Sequence, residues 1–212
     1  TLSLPSANTY SGGTTVSAGT LKVNVASVGA VGAITSSALG TGPATVASGA
    51  TIDLNGNTVF NDLSLAGTGV SSGGALSNSS ATAATVAGAI SLTGTSSVVS
   101  SSGITLGAVT GGAYGLSVTA NSGDITFNGA MTFTGENLNT FSAARNIYIN
   151  STIGMSGSTS GSGIALKYNQ ANGGGDYVFG ISATGSGATL AASFTGAINF
   201  TNTASTFTTQ NY

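Results

Sequence analysis

Three carboxylates and one guanidinium are the groups in this 212-residue sequence best suited to chemistry: Asp53, Asp62, Asp124 and Arg145. Two acids held about 5–10 Å apart can cleave a glycosidic bond, one giving the proton and the other acting as nucleophile or base. The chain has no histidine and only five acids in all, so little stands by to support such a pair. A plainer role fits the spacing. Arg145 follows Asp124 by 21 residues, and in a chain repeating at that interval the two stack as an ion pair between neighbouring coils. Exposed, such a pair contributes about 0–1 kcal/mol.

Other candidates carry less chemistry. Gly173-Gly174-Gly175-Asp176 has the composition of a calcium-binding repeat, but it occurs once and with the wrong spacing, so a turn is expected. Without cysteine or histidine no zinc-type site is available, and neither a metal nor another cofactor is expected. The pairs Thr93/Thr95, Thr132/Thr134, Thr201/Thr203 and Thr206/Thr208 have the form of an ice-ordering array. They do not recur at a constant interval, so no single flat plane is expected. Lys22 and Lys167, the candidates for an amide cross-link, lie between Leu21 and Val23 and between Leu166 and Tyr168. Alternation along a strand turns both outward, away from any core. The same alternation turns Phe127, Phe133, Phe141 and Phe200 inward, and leaves Tyr148 as the aromatic open to a contact.

Charge narrows the partners. Three Lys+Arg against five Asp+Glu make 4% charged residues, where about 25% is usual. Three cations cannot neutralise a phosphate backbone, which removes nucleic acid. A net charge of −2 gives little repulsion between copies, so self-association into an oligomer or filament is expected. The most apolar run, Val25–Ile34, is broken by Ser27, Gly29 and Gly32, and nothing approaches the roughly 18 apolar residues of a spanning helix. The chain opens at Thr1 with no basic-then-apolar leader, the mark of a processed or excised piece.

The elements that must position these groups are short strands. Ile125/Phe127 and Met131/Phe133 recur 22 residues later as Ile147/Ile149 and Ile153/Met155. Pairs of alternating apolar residues, separated by Gly/Ser/Asn turns and repeating near twenty, are the signature of a solenoid whose coils cannot stand alone. Leu2/Leu4, Thr14–Val16, Leu21/Val23, Ile52/Leu54 and Leu63/Leu65 extend the pattern backwards. Leu116/Val118, Phe141 and Ile164/Leu166 mark a third strand per coil. Residues 70–88 hold few large apolar side chains and read as a loop or irregular coil between 1–69 and 89–212 of one continuous solenoid. Ile198/Phe200 and Phe207 read as a last coil without a polar cap, an open strand edge.

Residues 8–16, Asn-Thr-Tyr-Ser-Gly-Gly-Thr-Thr-Val, then Ala18–Leu21, Ala38–Gly40 and Val46–Gly56 closely resemble the autotransporter-associated β-strand repeat of bacterial surface proteins. The resemblance covers about the first third of the chain. Asn146–Tyr168 resembles passages in filamentous-haemagglutinin-like exoproteins. These resemblances imply a passenger segment exported by a type V-like route to the cell surface or medium, folded as a right-handed β-helix, with no catalytic residues.

The expectation is therefore all-β: a right-handed β-helix of 21–22 residues per coil and nine or ten coils, each about 4.8 Å high. A β-sandwich pilin-like subunit that donates its Thr1–Thr9 strand is the rival fold. The expected role is structural, an adhesin stalk or self-assembling fibre subunit, with a host or cell-surface glycan or protein as a further partner. A carbohydrate- or ice-binding module and a polysaccharide-degrading enzyme are the alternatives.

Overall fold

Most strands here are three to five residues long and carry one or two inward apolar side chains, too few to fold alone. In the computed structural model they stack into a β-solenoid of about seven turns. The structure describes residues 1–135, 137–155, 163–167, 176–180 and 189–191.

The turns build three faces. Face A stacks Leu2–Leu4, Gly19–Val23, Ala50–Asp53, Leu76–Asn78, the second half of Ile90–Ser100, Leu116–Ala120, Leu138–Ala143 and Gly163–Lys167, all parallel. Face B stacks Thr14–Val16, Ala44–Val46, Leu63–Gly67, the first half of Ile90–Ser100, Val109–Gly112, Met131–Phe133 and Thr152–Met155. Face C stacks Thr58–Val59, Ala84–Val86, Ile104–Leu106, Ile125–Phe127 and Ile147–Ile149. Within a full turn the chain runs B, A, C.

The 22-residue offset seen in the sequence is the true register of two faces: Ile125 lies against Ile147, and Met131 against Ile153. Val118, Phe141 and Leu166 line up on face A in the same way. Inside, Phe127 and Phe141 are fully buried and their ring centroids lie 4.6 Å apart at 48°. Burying a side chain of that size stabilises the stack by about 2–3 kcal/mol.

Several expectations change. Among the described residues there are about seven turns, and they are unequal. Leu21 pairs with Ile52, a step of 31 residues, whereas Val98 pairs with Val118, a step of 20. The β-sandwich alternative fails: Leu2–Leu4 pairs in parallel with its own Leu21–Val23 and donates nothing. Residues 70–88 combine a single 3-10 turn at Val70–Ser72 with two strands in full register, Leu76–Asn78 and Ala84–Val86. The last-coil reading at Ile198, Phe200 and Phe207 lies outside the described residues, as do Thr201/Thr203, Thr206/Thr208 and Gly173–Gly175.

Both ends depart from the repeat. The first turn has no face C strand. An antiparallel hairpin, Val28–Ala30 with Ala33–Ser36, stands there instead, with Val28 and Val31 exposed. Beside it Asn61, fully buried, donates to the Gly40 and Gly42 carbonyls at 3.0 and 2.7 Å and accepts from Ser37 Oγ at 2.8 Å. At the other end Asp176–Gly180 runs antiparallel on Gly163–Lys167, and Thr189–Ala191 antiparallel on Thr152–Met155.

Candidate functional site

Face C puts one outward residue per turn into a single row. Ile104 and Leu106 point inward, which turns Thr105 out, and pairing then fixes the row Thr58, Thr85, Thr105, Thr126, Tyr148. The four threonines are half-buried and their hydroxyls have no hydrogen-bond partner among the described residues. Tyr148 is 37% exposed, the last rung of the row.

Beside this row run the turns from face A to face C. Here Asp124 and Arg145 meet: Arg145 Nη2 donates to Asp124 Oδ2 at 2.9 Å, and Asp124 Oδ1 accepts from the Asn146 backbone N–H at 3.0 Å and its side-chain amide at 3.2 Å. The arginine side chain is 64% exposed, so solvent screens the pair and its own energy is small. Its remaining guanidinium donors are unused among the described residues.

The three candidate carboxylates do not converge. Asp53 lies on face A, where Lys22 Nζ approaches Oδ2 at 3.6 Å and Ser79 donates its backbone N–H at 2.9 Å and its hydroxyl at 2.6 Å. Lys22 faces outward but is half-buried against this acid. Asp62, in a turn from face C to face B, accepts the Ala89 backbone N–H at 2.8 Å. Each acid thus binds a backbone donor one coil further along: Ser79, Ala89 and Asn146 respectively. The sequence reading missed this clasp. Its signal was an acid at a strand end followed 22–27 residues later by another turn.

Along face C the surface is hollow. One concavity of about 600 Å³ runs over Ser102, Thr105, Asn121, Ser122, Thr126 and the Asp124–Arg145 corner. A second, about 190 Å³, continues over Thr85, Thr105 and Asn128. Thr105 lines both, so the two hollows adjoin along the threonine row, and together they make the trough of face C. Gly123 has φ +103°, and a Cβ there would stand 2.7 Å from the Gly103 amide nitrogen, so glycine lets these two turns approach backbone to backbone.

The remaining candidates sit elsewhere. Phe127, Phe133 and Phe141 are core residues. Thr132 stacks on Thr110 in the outer row of face B, which continues through Ser91, Ser64, Thr45 and Thr15. One hydroxyl per coil aligns there, rather than the Thr-x-Thr pairs read from the sequence. Thr93 lies next to the register shift between Leu92 and Ser96 and turns its hydroxyl to the Leu65 carbonyl.

The stacked parallel coils, together with a match to an export-type repeat at one end, are features found in autotransporter passenger-like repeat proteins. The repeat itself is the passenger-associated-transport-repeat, whose family model matches residues 1–23, the first three strands. No curated protein and no solved structure matches the chain.

Proposed function

We propose that the chain is a structural passenger segment of a bacterial surface protein, a stalk that holds other parts of its parent away from the cell. One observation carries this reading: eight parallel strands in continuous register on face A, seven steps of about 4.8 Å, which make a rod of roughly 34 Å. Rigidity comes from backbone pairing between coils, and solubility from outer rows of uncharged hydroxyls. The repeat at residues 1–23 supports an extracellular or surface setting. No catalytic step enters the reading, since Asp53, Asp62 and Asp124 stand apart and each is held to the next coil.

The fibre reading shares this scaffold but needs an open strand edge. The antiparallel Asp176–Gly180 and Thr189–Ala191 strands, laid on the last parallel strands of faces A and B, favour the stalk. Negative-stain electron microscopy of the purified chain at physiological salt separates them. Separate short rods are expected. Uniform fibres with an axial repeat of one subunit would overturn the stalk in favour of self-assembly, and round particles would overturn both.

A further inference from the structure

We infer that the trough on face C is a binding site for a neutral oligosaccharide, lying along the solenoid axis over Thr85, Thr105 and Thr126 and stacking on Tyr148. Four observations meet there. The threonine hydroxyls of the row have no partner among the described residues, although each can both donate and accept. The hydroxyls of Ser102 and Ser122 and the side-chain amide of Asn121 line the same hollow and are likewise unpartnered among those residues. Arg145 is held to Asp124 through one guanidinium nitrogen, and its other donors have no partner among the described residues. Tyr148 stands one coil beyond Thr126 with its ring exposed.

This combination selects the ligand. A row of hydroxyls spaced by about 4.8 Å presents hydrogen-bonding groups at intervals along a line, which suits a chain bearing hydroxyls along its length. Sugar rings have apolar faces that stack on an exposed aromatic ring. The local charges cancel, since Asp124 and Arg145 neutralise one another and no other ionised side chain lines either hollow. An anionic or cationic polymer gains nothing from such a site. The inner apolar residues are shut away, so a hydrophobic peptide finds no pocket for its side chains. No bond is made or broken in this proposal.

The site adds a ligand to the stalk and stands independently of it. Rods that bind no sugar leave the stalk reading intact, and sugar binding by round particles leaves the trough intact.

The test is titration calorimetry of the 212-residue chain with cellohexaose, laminarihexaose and maltohexaose, and with a galacturonate hexamer as the charged control. Saturable binding of at least one neutral hexasaccharide is expected, with the charged control weaker. Tyr148→Ala is expected to weaken binding about tenfold, and Thr105→Val with Thr126→Val by a similar factor. Circular dichroism of each variant verifies that the coils remain stacked. Thr132→Val, on the outer row of face B, is expected to leave affinity unchanged. The proposal is overturned by no binding of any neutral probe at millimolar concentration, by the charged control binding more tightly, or by face B and face C variants losing affinity alike.

Discussion

The turns before Ile90 and those after it keep their strands in register with different atoms. After Ile90 the interior is a ladder of large apolar side chains: Ile104 on Ile125 on Ile147, Leu106 on Phe127 on Ile149, Met131 on Ile153. Before it the interior is thinner and has no aromatic ring: Leu21 on Ile52 on Leu76 and Val46 on Leu65 share it with Ala38, Ala44, Ala50, Ala75 and Ala84. There the buried polar groups choose the register. Asn61 ties Gly40, Gly42 and Ser37, and Asn78 accepts from the Gly56 N–H at 2.8 Å while donating to Ser100 Oγ at 3.1 Å. An apolar ladder tolerates sliding by one pair at modest cost, whereas a buried amide with the wrong partners does not. The later coils use the same device once, where buried Asn139 accepts the Leu116 N–H at 2.8 Å, beside a ladder that carries aromatic rings as well.

The largest effect should come from the thick half. Phe127→Ala removes a ring packed on Phe141 and is expected to cost about 3–5 kcal/mol, read as a lower urea midpoint. Asn61→Ala tests the thin half. With the Ser37 hydroxyl losing its acceptor and two glycine carbonyls their donor, a loss of about 2–3 kcal/mol is expected, with faster amide exchange confined to residues 37–42. If exchange there is unchanged, the contrast between the halves breaks. Asp53→Ala should cost about 1–2 kcal/mol, because Ser79 and Asn55 lose an acceptor that is only 7% exposed. Arg145→Ala sharpens the comparison from below: its side chain is largely in water, and a change under about 0.5 kcal/mol in thermal unfolding is expected. A loss there as large as at Asp53 would mean that exposed and buried clasps are worth the same.

The thick half was the legible half, for a physical reason. Ile, Met and Phe at inward sites give a strong alternating signal, and equal turns gave the interval of 22 that matches the pairing of Ile125 with Ile147. In the thin half Ala75, Ala84 and Asn78 share the inward sites with Leu76 and Val86, so 70–88 carries a stacked coil with a weak hydrophobic signal. The hairpin at 28–36 was hidden inside the most apolar run of the chain. The threonine row escaped notice because its members are 27, 20 and 21 residues apart, and unequal turns blur any fixed period. Tyr148 was placed by simple alternation between Ile147 and Ile149, while the trough beside its row depends on turn geometry that no spacing reveals.

The acid clasps give the stack a direction in time as well as in space. Asp53, Asp62 and Asp124 all reach for a donor that arrives later in the chain. Until that next coil is present, each carboxylate sits at the growing rim in water, where an ionised group is at no disadvantage. A half-built rod therefore has no stranded charge, and it can pause after any of these turns and resume when more chain is supplied. Each acid then acts as a latch that closes once the neighbouring coil is in place.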